Sequence, residues 1–272
     1  MSVKRCFFWL GIIVVMSIVL IPLLWIYLTS FKNLHDVMSL DIRKLVVFNP
    51  TFANYRYLFL ETPFLKEILN TAIASIGSTI IVMVIALPAA YSFARFNPGY
   101  GHLLFITVST RMFPPAVAAI PFFFLYKKLG LLDTHIGLIA LYVYFNVSFA
   151  IILLFGFFRE IPEELEQAAM VDGYSRLAIL RRIVLPLVTP GAAITALFCL
   201  VFSWNEFLYA HLFTRSAAKT AAVGLTLFWG SLEIAWGAMA AQIGLLILPT
   251  LLAAWFMQRY IIRGLTFGAV KG

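Results

Sequence analysis

Six runs of about 20 apolar residues, each long enough to cross a hydrocarbon core of roughly 30 Å as a helix, constrain this chain more than any other feature. They cover approximately residues 7–29, 69–93, 103–126, 136–158, 191–213 and 234–257. Helix is the form expected of each, because lipid offers no partner to open backbone N–H and C=O groups. A mean hydropathy of +0.97 and only 12% charged residues lie outside the range of soluble domains and agree with that expectation. The first run follows Lys4 and Arg5 as a secretory signal would, but its apolar core is too long for one and no small-residue cleavage site follows. The fold class expected is an all-α membrane protein with six transmembrane helices, one domain over residues 1–272, both termini on the same side.

A formal charge of +8 would suggest nucleic acid in a soluble protein. Here the basic residues flank the apolar runs, where they meet lipid head groups, and no nucleic-acid motif is present. They divide almost evenly between the two sides, so the positive-inside rule barely decides orientation. Cys6 and Cys199 stand alone without metal-ligand spacing, and His35, His102, His135 and His211 are scattered. The chain has no G-x-x-x-x-G-K-[ST] loop and no H-E-x-x-H pair, so neither nucleotide chemistry nor a metal site is expected in it. An intramembrane enzyme is a distant alternative, and paired acids within one run are missing.

Proline marks where the helices bend. Pro22, Pro88 and Pro249 each fall inside a run, and Pro114, Pro115 and Pro121 crowd the third, which predicts a broken helix there. Arg95 to Gly101, with Asn97-Pro98-Gly99, reads as a tight bend. Thr51-Phe52-Ala53-Asn54 begins a short surface helix after the Asn49-Pro50 turn. In the last run Gly237 with Ala241, and Ala240 with Gly244, follow the small-xxx-small spacing of close helix packing.

The segment from Glu163 to Pro186 concentrates charge in an otherwise oily chain. Pro162 followed by Glu163 and Glu164 starts a helix, because proline's missing donor costs nothing there and acids favour the positive end of the dipole. Leu165, Ala168 and Ala169 share a small apolar face, and Gly173 accepts the left-handed conformation that commonly ends a helix. A second short helix is expected over about Ser175 to Val184, with Arg181 and Arg182 near its negative end, before Pro186 and Pro190 return the chain to the membrane. An ordinary polar interhelical loop is the alternative.

At this point the sequence resembles a known family. Ala168-Ala169, Gly173 and then Ile183-Val184-Leu185-Pro186 match, at the same spacing, the cytoplasmic coupling signature of permease subunits in binding-protein-dependent ATP-binding cassette (ABC) importers. Asn49–Tyr55, Arg111–Pro115, Phe157–Pro162, Trp204–Phe207 and the ending Gly264–Gly272 extend the resemblance over nearly the whole chain, towards the maltose-type carbohydrate subfamily. One departure is that Gln167 occupies the family's glutamate position, with Glu166 just before it as a substitute carboxylate.

The resemblance implies the type I ABC importer permease fold, with a cytoplasmic coupling helix between helices 4 and 5. It implies that Glu166, Gln167, Ala168, Ala169, Asp172, Gly173, Ile183, Leu185 and Pro186 couple the chain to an ATPase. It also implies a bacterial inner-membrane location with both termini cytoplasmic. The implied partners are a second permease subunit, two ABC ATPases and an extracytoplasmic binding protein. ATP and Mg would be bound by the ATPase, leaving no cofactor in this chain.

The cargo expected is a sugar, sugar oligomer or polyol, with glycerol phosphate or another phosphorylated polyol as the alternative. Arg111, Tyr144, Asn146, Trp204, Asn205 and Glu206 are candidates for its path, since ionisable groups in a crossing usually face a bundle interior, and hydroxyls with aromatic faces suit sugars. The structural alternatives are that Arg111 snorkels, that Glu206 pairs with a neighbouring helix, and that Asn146 bonds a backbone carbonyl.

Overall fold

A computed structural model describes residues 3–229 and 234–267; the tail from residue 268, part of the family-like ending, lies outside the described residues. The main helices are α1 (Val3–Ser30), α2 (Phe64–Phe96), α3 (His102–Met112), α4 (Pro115–Leu129), α5 (His135–Glu160), α6 (Glu163–Val171), α7 (Arg176–Trp204), α8 (Leu208–Phe213) and α9 (Trp236–Phe267). Five of them, α1, α2, α5, α7 and α9, are long and apolar enough to cross a membrane, and α3 with α4 makes a sixth crossing if counted as one. Among the described residues the only β pairing is an isolated bridge between Trp229 and Ile234.

The third crossing is broken, with α3 and α4 meeting at 93°. Proline's ring excludes the α region for the residue before it, and here Phe113 (ψ 127°) and Pro114 (ψ 129°) are both extended ahead of a proline. Pro115 then restarts the helix in its first turn, where its missing N–H is harmless.

The fifth crossing corrects the sequence expectation. The helix expected as separate over Ser175 to Val184 is continuous with the crossing, joined by a π turn over Leu180–Val184, and the crossing ends at Trp204 rather than near residue 213. Pro186 can neither donate to nor approach the carbonyl one turn back, and a widened turn just before it carries the helix past this obstacle without a break. Leu208–Phe213 is instead a separate helix.

The chain forms two compact units. In the first, Met1–Glu67 with Val223–Pro249, Asn54 Nδ2 donates to the carbonyls of Ser30 (2.9 Å) and Lys32 (2.8 Å), closing the end of α1. Asn54 also occupies the space where a side chain at Gly237 would sit, so the small residue predicted for packing admits this amide. Tyr27 Oη donates to Gly244 O at 3.0 Å, a second close approach at the predicted small positions.

The second unit, Ile68–Ala222 with Thr250–Gly272, holds an apolar core built from α2, α5, α6 and α7, including Val82, Ala86, Leu154, Phe158, Val188 and Cys199. Cys199 is fully buried there and acts as a small core residue. Ser78, Ser203 and Asn146 form a hydrogen-bonded chain between α2, α7 and α5, at 3.1 and 2.9 Å.

The loop before α5 is tied down by Asp133, which has a left-handed backbone (φ 58°). Its carboxylate accepts the N–H groups of Arg215 (2.9 Å), Ser216 (3.2 Å), Ala217 (3.0 Å) and Ala218 (3.0 Å). Burial alone would raise this carboxyl, but the four N–H donors outweigh it and hold it lowered to about 2. A group depressed on folding stabilises above its unfolded value, near 4, and loses that contribution as pH falls through its folded value. Asp133→Asn is therefore expected to melt earlier than the parent at pH 7 and pH 5, and the two melting temperatures are expected to converge as pH falls from about 4 to about 2. Thermal unfolding of the detergent-solubilised protein across that range measures it.

Candidate functional site

The charged segment between α5 and α7 is built as a helix with a definite start and stop. Pro162 (ψ 133°) caps α6, and Glu163, Glu164 and Glu166 fill its first turn. At the other end Gly173 takes φ 84°, its N–H reaches Met170 O, and the N–H of Tyr174 reaches Ala169 O, both at 3.1 Å. This pair of bonds closes the open carbonyls of a helix end and needs a residue without Cβ at its left-handed position.

The two faces of α6 differ from the sequence expectation. Ala169 is buried together with Glu166, whereas Leu165 and Ala168 are exposed. Both Glu166 oxygens are engaged inside the subunit, one by Arg95 Nε and the other by Tyr91 Oη at 2.6 Å. Glu166 is thus not free to replace the family's carboxylate on an outer surface, which corrects that expectation. Of the coupling residues expected on α6 and at its exit, Gln167, Ala168, Asp172 and Gly173 face outward. A polar cleft of about 600 Å³ opens beside the start of α6, lined among others by Arg159, Glu163, Glu164 and Gln167. Ile183 and Leu185 pack half-buried against the core, and Pro186 is exposed.

A second feature lies where the third crossing breaks. A cavity of about 260 Å³ is lined by Thr110, Arg111, Pro115, Tyr144, Ser148 and Tyr209, with Phe113, Ala118 and Phe145 completing it. Arg111 Nη1 donates to Phe145 O at 2.9 Å, and the guanidinium lies 4.9–5.6 Å from the rings of Phe149, Phe145 and Phe202. Among the described residues no carboxylate is within ion-pair distance of it. Aromatic faces and one carbonyl satisfy part of the group, and its remaining donors are available to whatever enters the cavity. Thr110 Oγ1 and Ser148 Oγ share a hydrogen bond of 2.7 Å, and Tyr209 Oη donates to Pro115 O at 3.1 Å.

Of the six pathway candidates, only Arg111 and Tyr144 line this cavity. Asn146 is buried and donates to Ser203 rather than to a backbone carbonyl. Glu206 caps α8, accepting the N–H groups of Tyr209 (2.8 Å) and Ala210 (3.0 Å). Trp204 is buried, and Asn205 bonds back to Val201 O at 2.9 Å. Thr110, Ser148 and Tyr209 escape the sequence reading. The spacing of Tyr144 and Ser148, one helical turn apart on α5, is the available signal for Ser148.

Three comparisons bear on this geometry. The profile of the family described as "Binding-protein-dependent transport system inner membrane component" matches residues 82–267. The probable ABC transporter permease protein y4oR of Sinorhizobium fredii is 36% identical over 252 residues, 93% of this chain and 90% of that one. The trehalose transport system permease protein SugB of Mycobacterium tuberculosis is 35% identical over 277 residues, 100% of both chains. Among solved structures, a bacterial ABC transporter involved in the import of the acidic polysaccharide alginate contains a chain that superposes with a TM-score of 0.79 at 24% identity, covering 96% of this chain and 98% of that one. The fold is therefore that of an ABC importer permease.

The cavity and the buried serine chain make opposite predictions for solvent access. With Cys6 and Cys199 replaced by alanine, a cysteine at Ala118 is expected to react with a small hydrophilic maleimide in membranes, and one at Ser203, 2% exposed, is expected to stay unlabelled. Mass spectrometry of the labelled protein reads the difference.

Proposed function

The chain belongs to the family of inner membrane components of binding-protein-dependent transport systems, and on that footing we propose that it is the membrane-spanning subunit of an ATP-driven carbohydrate importer. It passes a sugar, sugar oligomer or polyol, handed over by an extracytoplasmic binding protein, through the membrane by alternating access. The observation that carries this proposal is α6, a short helix held between two crossings and closed at Gly173, with Gln167, Ala168 and Asp172 turned outward at the family's coupling spacing. A side-chain amide at Gln167 still accepts a hydrogen bond from a cation on a partner. One of the two ATPase subunits of the complex docks on this surface, a second permease subunit completes the pathway, and both termini lie in the cytoplasm. ATP and Mg are bound by the ATPases, and this chain does no catalysis. The full-length likeness to a permease named for trehalose transport supports a sugar over a phosphorylated polyol. The hydroxyl and aromatic lining of the cavity suits sugar hydroxyls and ring CH groups.

Mechanically, closing of the ATPases tilts α6 and the crossings attached to it as a body, a two-state motion of the hinge or shear kind. Gly173→Arg has room for its side chain, since no atom lies within 4 Å of the point its Cβ would occupy, but an L-residue at φ 84° is strained by roughly 1–2 kcal/mol and a bulky cation is added to the docking surface. The variant is expected to insert normally and to lose substrate-stimulated ATP hydrolysis when reconstituted with the co-encoded subunits. Wild-type stimulation in that variant, or a parent chain that retains no ATPase in mild detergent, would overturn the assignment. Binding assays with the co-encoded binding protein then identify the cargo.

A further inference from the structure

The end of α2 grips α6 through groups that the coupling signature does not include. Arg95 Nε donates to Glu166 Oε1, Arg95 Nη2 donates to Ile161 O at 2.8 Å, and Tyr91 Oη donates to Glu166 Oε2 at 2.6 Å. The Arg95 and Glu166 side chains are only 7% and 9% exposed. The Tyr91 ring packs edge-on against Phe158 of α5 at 5.6 Å and Phe96 at 5.9 Å. On the far side of the bend, the Arg176 guanidinium at the start of α7 lies 4.9 Å over the Phe96 ring. Tyr91, Arg95 and Phe96, all within the last two turns of α2, therefore hold both legs of the coupling segment.

The covalent connections of α6 are of a different kind. It joins α5 through Ile161 (ψ 122°) and Pro162 (ψ 133°), and joins α7 through Gly173 (φ 84°) and Ser175 (ψ 155°). These are non-helical joints, the sort of place where a rotation is absorbed instead of passed on. No direct chain connection runs from α6 to α2, so where the two meet a push on α6 passes to the second crossing through side chains. A buried charge pair with a third donor suits that task, because its directional bonds fix one orientation and leaving either charge alone is costly.

We infer that Arg95, Tyr91 and Glu166 are positioning residues that fasten the coupling helix to the second crossing, so that α2 moves with α6 when the ATPases close. The inference rests on the importer function proposed above, and the test separates the two. The complex of this chain with its co-encoded permease, ATPases and binding protein is reconstituted in lipid. ATPase retention is measured on affinity-tagged permease, and hydrolysis is measured with and without substrate-loaded binding protein. Glu166→Gln is expected to retain the ATPases while the stimulated-to-basal ratio falls roughly fivefold, and Tyr91→Phe, which removes one hydroxyl, is expected to lower it about twofold. A thiol cross-link between cysteines placed at Ala94 of α2 and Glu163 of α6, which line the same cleft, is expected to restore the ratio in the Glu166→Gln background, which repair of folding alone would not do. Full stimulation in both single variants overturns the inference. So does loss of the ATPases from an inserted Glu166→Gln chain, which would make Glu166 a docking residue. A parent chain that binds no ATPase refutes the importer function itself and removes the basis of the inference.

Discussion

Hydrocarbon offers no hydrogen-bond partner, and the whole molecule is arranged around that constraint. It forces the crossings to be helices, and it drives most of the polar side chains described within them to find a partner inside the protein. Ser78, Ser203 and Asn146 close on one another. Thr195 bonds back to Gly191 O at 2.8 Å, and Glu206 closes the start of α8. These groups are buried or half-buried and mostly engaged within the protein, the Asn146 side-chain oxygen being left without a hydrogen-bond partner, and none of them lines the cavity at the break in the third crossing. Arg111 is different, because one carbonyl and three rings leave several of its donors unengaged beside a cavity. The accounting that explains the fold thus also distinguishes polar residues that hold helices together from those that can meet cargo.

The same accounting explains how much was legible in the sequence. Length and hydropathy reveal the crossings, because a bilayer sets a minimum run of apolar residues. Proline chemistry reveals the break in the third crossing and the start of α6, and glycine chemistry reveals its stop. Those signals act within a few residues of one another. What the sequence did not disclose depends on distant partners or on helical phase. Adjacent residues on a helix point about 100° apart, so one of Glu166 and Gln167 faces in and the other out, and composition alone does not choose. The choice is made by Arg95 and Tyr91, 71 and 75 residues away and themselves one turn apart at the end of α2. A pair of polar residues at i and i+4 closing an apolar run was the trace they left in the sequence. The merging of the second short helix with the fifth crossing was hidden for another reason: Pro186 reads as a break, and the π turn that carries the helix past it has no sequence signature.

A buried ion pair is an expensive way to join two helices if stability is the only requirement. Desolvation consumes most of the Coulombic gain, and apolar residues of similar volume often serve as well or better. That substitution is easy to imagine, since Tyr91, one partner of Glu166, belongs to the same apolar core as Ala169, Phe158, Ile179 and Val184. What apolar packing lacks is direction. It tolerates sliding and rotation, whereas two bonds to one carboxylate and a third to the Ile161 carbonyl specify the angle at which α6 sits against α2. An element pushed by an external motor needs a defined angle more than it needs extra stability, because slip at the joint would dissipate the motion before it reached the crossings. The position of the charges agrees with this. They lie at the junction of α2 with α6, where a push enters the bundle, while the crossings further along rely on packing and hydroxyl bonds. The Gln167 face is left exposed, where the proposed ATPase contact needs it, and the Glu166 face is committed to the fold.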